Sequence, residues 1–302
     1  MDNVWTLDRL LTAAEMAGCA LGSFSPRLAP MIQPILLAGQ ESQSPLIVQI
    51  SSRELARYGA TPEEIGAEFY REVQEQHITV PVGLHLDHSW DFKVIEAAIA
   101  AKFTSVMIDA SDKPLDENIR ISREVVEYAH ARGVSVEAEL GRIGTTDFVE
   151  TEHDEELYTV PEEAQRFVAE TQVDALAVSV GTAHGVYLVR QPKVDYARLT
   201  AIRTLTPVHL VLHGGSGVPT AMVMGAIHIV GGGVSKVNFA TDLEIALLEA
   251  LGRGENRLSN EECKALPPDQ LAKGRAAVAA TVLDKIEHYL GSAGKAAEFL
   301  AS

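Results

Sequence analysis

Apolar segments of strand length alternate with helical segments along almost the whole chain, and this alternation restricts the possible folds more than any other feature. Such an alternation is typical of a parallel sheet covered by helices. Eight repeats predict a (β/α)8 TIM barrel, with a doubly wound open sheet as the alternative, in one domain over residues 1–302. The predicted strands cover residues 19–24, 45–50, 80–87, 103–109, 134–140, 174–180, 208–213 and 234–239.

Helix-start signals occur between these strands. Thr61 can cap a helix that begins with Pro62 and continues through two glutamates, which predicts a helix over residues 61–77. Residues 51–54 are expected to form a turn, and residues 141–159 a polar, acidic loop that is longer than usual. Other helices are expected over residues 6–17, 29–37, 93–101, 114–131, 161–171, 195–205, 220–230 and 269–290, and from 241.

The charge of the chain limits its partners. It has 42 acidic and 25 basic residues and a net charge of −17, which argues against binding nucleic acid. An anionic substrate would therefore need a locally positive pocket. Cys19 and Cys263 have no metal-binding or redox spacing, the N-terminus has no signal-peptide pattern, and no apolar run has the length of a membrane span. These features predict a cytoplasmic protein that does not bind membranes.

Residues 80–90 carry the densest group of reactive side chains. Apolar residues alternate with Gly83, His85 and Asp87, which is the two-residue period of a strand. His85 and Asp87 should therefore share a face, with His88 just past the end of the strand. Ligands bind at that end of parallel strands in α/β proteins. An acid beside an imidazole there indicates a proton-transfer group next to a metal ligand, or else a hydrogen-bonded core histidine and a helix cap.

Three histidines recur at the ends of predicted strands, at His88, His184 and His213. The strand ends of a barrel converge on one face, so these imidazoles can meet in space. Three histidines with an open fourth position form a catalytic zinc site. Each histidine alone could equally be buried and hydrogen-bonded.

Two polar turns follow the last two predicted strands. Gly214 and Ser216 come after the seventh, whereas Asn238 and Thr241 come after the eighth and lead into a helix. Loops at these positions of a barrel commonly bind phosphate through N–H groups and a helix N-terminus. The turns therefore predict a phosphate site.

These segments together resemble the class II, zinc-dependent ketose-bisphosphate aldolases, and the tagatose-bisphosphate aldolase branch most. The resemblance extends over nearly the whole chain in order. It rests on His85-Leu-Asp-His88 and on the segments at 105–111, 136–141, 176–187, 211–217 and 236–242.

The resemblance implies roles for individual residues. Asp87 would be the acid/base that handles the hydroxyl of the bond-breaking carbon. Glu139 would be an acid near the metal, either supporting a ligand or binding the metal in the resting state. One Zn²⁺ would be held by His88, His184 and His213, and a monovalent cation would lie near the phosphate site. The residues implied for dihydroxyacetone phosphate are Gly185, Gly214, Ser216, Asn238 and Thr241.

The chain departs from the family where the other half of the substrate should bind. Ser25 replaces the usual Asn, and Ser51 and Arg53 lie in a turn that normally carries glycine. Ser51 is expected to contact substrate. Arg53 would clamp an anionic far end of the sugar, or would be a surface arginine paired with Glu54 or Glu64.

The loop after strand five is also altered, so the acid that serves dihydroxyacetone phosphate is not fixed by the motifs. Asp147 is the choice and Glu150 the runner-up, although both could belong to a solvated acidic loop. Lys236 lies on the eighth strand, but the three histidines make a lysine Schiff base unnecessary.

The sequence thus leaves two classes of function. The first is a metal-dependent aldolase that cleaves a ketose bisphosphate or a related ketose 1-phosphate, including one with another anionic end. The second is a non-catalytic accessory barrel subunit, which Asp87 and the intact histidine set argue against. A homodimer or homotetramer is expected in either case.

Overall fold

Eight parallel strands form a closed barrel in which every strand pairs with its sequence neighbours. The computed structural model describes residues 1–143, 157–185, 187 and 191–301. The first strand pairs with the last over four residues, so the barrel is confirmed and the open sheet is wrong. The strands are β1 Leu21–Phe24, β2 Leu46–Ser51, β3 Val82–Ser89, β4 Ser105–Ile108, β5 Ser135–Leu140, β6 Ala175–Val178, β7 His209–Leu212 and β8 Val234–Phe239.

Helices surround the barrel and close one of its ends. Among the described residues, no helix combines the length and the apolar character that crossing a membrane requires. The helices are α1 Leu7–Met16, α2 Ile32–Glu41, α3 Ser52–Tyr58, α4 Pro62–Glu75, α5 Phe92–Ala100, α6 Leu115–His130, α7 Pro161–Thr171, α8 Tyr196–Leu205, α9 Thr220–Ile227, α10 Thr241–Ala250, α11 Asn260–Lys264, α12 Pro268–Lys285 and α13 Ala296–Ala301.

Several of these segments differ from expectation, and α11 and α13 were not among the predicted helices. The residues expected as a turn after β2 form α3, because the Ser51 hydroxyl accepts from the Glu54 N–H and the Glu54 carboxylate accepts from the Ser51 N–H. The helix expected from residue 29 begins with a 3₁₀ turn, Ala29–Met31. The helix expected to end at residue 290 becomes a π-helical turn after Lys285.

Side chains inside the barrel change in character from one end to the other. At the end where the strands begin, Ile47, Met107 and Val211 form a buried apolar cluster with α1 and with Phe299 of α13. The N–H of Trp5, just before α1, donates to the Val82 carbonyl at the start of β3. Apolar side chains therefore fill the barrel interior at this end, and the cavity described below lies where the strands end.

His88 does not lie past the end of its strand as expected, because β3 continues to Ser89. The pairing of β3 with β4 is irregular between Leu86 and Ser89. Consecutive residues of a regular strand point to opposite faces, and an irregularity re-aims a side chain. The shift therefore allows Asp87 and His88 to lie beside the same cavity.

Gly66 lies where α4 packs against the end of α5, so a substitution there tests this packing. A methyl group at this position would lie 2.4 Å from the carbonyl oxygen of Ala101, which is backbone and has little freedom to move. Helix propensity alone would make Gly66→Ala stabilising by about 1 kcal/mol. We expect the clash to dominate, with a loss of about 1–3 kcal/mol in the free energy of unfolding measured by denaturant titration.

The matched control is Ala67→Gly at the neighbouring exposed position of α4. This change should cost about 1 kcal/mol through propensity alone. A Gly66→Ala variant more stable than the wild type by about 1 kcal/mol, the full propensity gain, would show that the two helices can separate without penalty.

Candidate metal centre and active-site pocket

A cavity of about 750 Å³ opens where the strands end. It brings together residues that are far apart in sequence. All the described residues predicted as metal ligands, acid/base or substrate contacts line it except His213, which is fully buried. Asp147 and Glu150 lie outside the described residues. The predicted residues that line the cavity are Ser51, Arg53, Asp87, His88, Glu139, His184, Gly185, Gly214, Ser216, Asn238 and Thr241.

His88, His184 and His213 meet at the base of this cavity. One ring nitrogen from each lies within 4.8 Å of the others. The ring centroid of His88 is 5.0 Å from that of His184 and 4.6 Å from that of His213. The strand ends thus bring the three imidazoles close enough to share one ion.

Carboxylates behind two of these rings fix which nitrogen faces the others. His88 Nδ1 lies 2.9 Å from Asp109 Oδ2, and His213 Nε2 lies 2.9 Å from Glu137 Oε1. The opposite nitrogens, His88 Nε2 and His213 Nδ1, are buried and have no hydrogen-bond partner among the described residues. Unpartnered buried nitrogens are costly, and a carboxylate–histidine pair is the usual support of a metal ligand. The three rings therefore fit a divalent metal.

Two further groups of possible ligands adjoin the three histidines. One joins His88 to Asp109 and Glu139 on neighbouring strands. The other joins His85, Asp87 and Glu137 inside the barrel, where the Lys236 ammonium already lies 2.8 Å from Glu137. The second group therefore holds a cation supplied by the chain itself.

Burial and opposite charges set the proton affinities of this centre. Burial alone would lower the pKa of His88, but the charge of Asp87, the hydrogen bond with Asp109 and the charge of Glu139 raise it to about 10. Burial, helped by the charge of His88, lowers the pKa of His184 to about 4. A metal bound here would have to displace a proton from His88 but not from His184, so we expect metal affinity to rise with pH.

The pKa of the Glu139 carboxyl is also raised, but here burial is the main cause. Burial, together with the charge of Asp109, raises the pKa of Glu139 to about 8. Its Oε1 accepts from the Ser111 hydroxyl at 3.0 Å, while its Oε2 is buried without a hydrogen-bond partner among the described residues. The same carboxylate lies 3.9 Å from His88 and 3.7 Å from His213, so Glu139 is beside the histidines as expected.

Asp87 lies 7% exposed on the floor of the cavity. Its Oδ1 accepts from the Asn238 amide at 3.1 Å, and its Oδ2 accepts from the Gln49 amide at 3.3 Å. Two amide donors hold the carboxylate in one orientation beside the histidines. A carboxylate that is fixed and still reaches the cavity can transfer a proton to a bound molecule.

The turns after β6, β7 and β8 form another part of the cavity wall. Gly214 has a φ of 68°, and a methyl group there would lie 2.3 Å from the Ala183 carbonyl oxygen, so this close approach requires glycine. The Ser216 hydroxyl accepts from the N–H groups of Ala240 and Asp242, where α10 begins. The loops around the histidines are therefore packed directly on one another.

The far half of the cavity has a different character. Arg53 is exposed, and its guanidinium carbon lies 5.0 Å from the centroid of the Trp90 ring. The expected surface pairings are not seen, because Glu54 pairs with Arg27 and Glu64 with Lys264. The Ser51 hydroxyl, expected to contact substrate, is engaged with Glu54.

Sequence reasoning did not assign roles to three residues that support the site. Gln49 orients Asp87, Asp109 orients His88, and Glu137 orients His213. The sequence positions of two of them, Asp109 and Glu137, could have indicated a role in the site. Asp109 follows β4 directly, as a reactive residue of a barrel should, and Glu137 shares a strand face with Glu139.

Comparisons with known proteins agree with this geometry. The model of the family described as fructose-bisphosphate aldolase class-II matches residues 5–295. The chain belongs to the class II fructose-bisphosphate aldolase family. Members of this family are metal-dependent carbon–carbon lyases that act on sugar phosphates, so this class II aldolase is an enzyme and not the accessory subunit considered above.

Individual relatives cover almost the same length. The chain is 40% identical over 293 residues to a fructose-bisphosphate aldolase of Geobacillus stearothermophilus, covering 97% of this chain and 99% of the relative. It is 37% identical over 284 residues to one from Staphylococcus aureus, covering 94% and 96%. The names are those of fructose-bisphosphate aldolases, and the tagatose branch stays a prediction.

Solved structures give the same picture. The YdjI aldolase of Escherichia coli K12 superposes with a TM-score of 0.79 at 28% identity, covering 97% of this chain and 99% of that one. A putative fructose-1,6-bisphosphate aldolase from Coccidioides immitis superposes with a TM-score of 0.75 at 30% identity, covering 95% and 96%. The barrel of this class II aldolase is thus shared with solved aldolases.

Glu137 should be needed for tight metal binding although it does not face the other two histidines. Glu137→Gln keeps the size of the side chain but removes the charge that pairs with Lys236 and the carboxylate that orients His213. We expect divalent-metal affinity to fall about 10- to 100-fold, measured by competition with a chromogenic chelator.

Asp174→Asn is the matched control, because Asp174 forms a carboxylate–histidine pair with His130 away from the cavity. This variant should keep wild-type metal affinity. Equal metal affinity in Glu137→Gln and wild type would mean that His213 holds its orientation without Glu137.

Proposed function

We propose that this class II aldolase performs the metal-dependent retro-aldol cleavage of a phosphorylated ketose, giving dihydroxyacetone phosphate and an aldehyde. The observation that carries the proposal is the meeting of three histidines, two of them with unpartnered buried nitrogens, beside the fixed carboxylate of Asp87 in one cavity. One barrel domain over residues 1–302 would carry the whole activity.

One Zn²⁺ per chain is the proposed metal, held by His88 Nε2, by His213 Nδ1 and by His184. Zinc takes nitrogen ligands and, in catalytic sites, leaves a position open toward the substrate. When bound, it would supply a positive charge that stabilises the negative charge developing on the substrate oxygens. Glu139 would support this centre, because its carboxylate lies 3.9 Å from His88 and 3.7 Å from His213.

Asp87 would take the proton from the hydroxyl on the carbon whose bond breaks. As the C–C bond breaks, the aldehyde forms at that carbon and the bonding electrons stay with the dihydroxyacetone-phosphate half. That half must then receive a proton, for which Asp147 is proposed and Glu150 is the runner-up. The amides of Gln49 and Asn238 keep the Asp87 carboxylate aimed at the substrate.

The phosphate of the dihydroxyacetone-phosphate half would bind at the turns after β6, β7 and β8. Gly185 and Gly214 both have positive φ, which allows backbone N–H groups to approach a ligand closely. A monovalent cation near these turns is also proposed. The full set of contacts would be Gly185, Gly214, Ser216, Asn238 and Thr241.

The two candidate substrate classes, a ketose bisphosphate and a related ketose 1-phosphate, differ in the chemical group at the far end of the sugar. The names of the relatives support a bisphosphate. Arg53 supports a different anionic end, because it lines the cavity and forms no ion pair with any described residue. We also propose a cytoplasmic homodimer or homotetramer.

Removing the metal should abolish cleavage reversibly. We expect EDTA to inactivate the enzyme and Zn²⁺ to restore it, as measured by dihydroxyacetone-phosphate release. Borohydride added with substrate should leave the mass of the protein unchanged, because the ammonium of Lys236 is buried and bonded to Glu137. Full activity in protein shown by elemental analysis to hold no metal would contradict the proposal.

Asp87→Asn should keep the metal and the fold but lose turnover, because the amide cannot accept the proton. General acid–base groups contribute about 10²- to 10⁴-fold, so kcat should fall by that factor. Metal content and melting temperature of the variant serve as controls. Turnover above about one tenth of the wild-type value would remove Asp87 from the proton-transfer step.

A further inference from the structure

The Glu54 carboxylate fills a set of anion-binding donors in the wall of the cavity. Its Oε2 accepts from the Ser25 hydroxyl at 3.0 Å, from the Ser51 N–H at 2.9 Å and from the Ser51 hydroxyl at 3.1 Å. Its Oε1 accepts from Arg27 Nε at 3.1 Å. The Glu54 side chain is 14% exposed and lines the cavity. Two hydroxyls, an N–H group and a guanidinium are the donors that would also hold a phosphate.

The positive charge of Arg27 is already paired with carboxylates of the chain, so Arg27 offers little attraction to an anion of the substrate. Its Nη1 also bonds to Glu244, so two carboxylates of the chain already share its positive charge. Arg27 has a φ of 57°, a conformation that costs energy in a residue other than glycine. The backbone therefore holds Arg27 at this position at a cost, and Glu54 and Glu244 use its donors.

A phosphate that approached this wall would meet the negative charge of Glu54 and donors that are already bonded. Like charges placed together in a recognition site select against the wrong ligand. The Ser51 hydroxyl cannot serve the substrate unless Glu54 leaves it. The wall therefore favours a substrate that brings no phosphate to Ser25, Arg27 and Ser51.

We propose that Glu54 is a specificity-determining residue that selects ketose 1-phosphates over ketoses with a second phosphate at this wall. The far end of the preferred substrate would be a hydroxyl, or an anion that reaches Arg53 instead. This inference rests on the proposed retro-aldol function and specifies its substrate class.

The test compares two substrates that differ only in the second phosphate, fructose 1-phosphate and fructose 1,6-bisphosphate. The quantity measured is the ratio of kcat/KM for the bisphosphate to kcat/KM for the monophosphate. Glu54→Gln keeps the length of the side chain and an acceptor for Ser51, but it removes the charge. We expect this ratio to rise about tenfold or more in Glu54→Gln, since the like-charge contact is lost.

Glu262→Gln is the matched control. Glu262 forms the same capping box with Ser259 at the start of α11, and it does not line the cavity. The ratio should equal the wild-type ratio in this variant, which separates the loss of a helix cap from the loss of charge in the pocket. Glu54→Ser also removes the charge and provides a second variant if Glu54→Gln does not fold.

The outcomes distinguish the two proposals. A ratio in Glu54→Gln and Glu54→Ser that equals or falls below the wild-type ratio would overturn the assignment of Glu54 while leaving the aldolase function intact. Cleavage of neither substrate, nor of other ketose phosphates, by zinc-loaded wild type would instead overturn the proposed function.

Discussion

A buried ion pair between Glu137 and Lys236 is the interaction on which the interior of this barrel depends. The two groups are 2.8 Å apart, fully buried, and lie on β5 and β8. Burying either charge alone would be strongly destabilising, whereas a bonded pair with further hydrogen bonds can be tolerated. The second oxygen of Glu137 bonds to His213, so the ion pair also sets the orientation of one ring of the metal centre. The histidine cluster is in this way anchored to the polar interior of the barrel and not only to its loops.

The barrel separates the residues proposed for the chemistry from those proposed for selectivity. Asp87 and His88 are both on β3 and Glu139 is on β5, and strands hold their side chains more rigidly than loops do. Arg27 and Glu54 instead lie in the segments that follow β1 and β2, and connecting segments vary in sequence more than strands do. Loops of this kind can alter what a barrel enzyme accepts while its reaction stays the same, which is the common pattern for this fold.

The sequence was sufficient for the barrel because each strand carries its own local signal of length and alternation. It was not sufficient where a local choice depends on a distant partner. The membership of His88 in β3 depends on the irregular pairing with β4, and the position of Glu137 depends on Lys236, which lies 99 residues away. The helix α3 was missed because it is only seven residues long and its capping box at Ser51 looks like a turn. The contact of Glu54 with Arg27 carries no sequence signal at all, since neither residue has a fixed spacing from the other.

The apolar end of the barrel has a consequence for how the chain folds during synthesis. The apolar cluster inside the barrel contains α1 and Phe299 of α13, and the strand that closes the sheet against β1 is β8. Contacts between such distant parts of a chain form slowly, because a long loop must close first. The pairing of β1 with β8 can therefore form only after nearly the whole barrel sequence has been synthesised. An unpaired strand edge promotes aggregation, so we expect the β1 edge to be the vulnerable part of the chain until β8 is available.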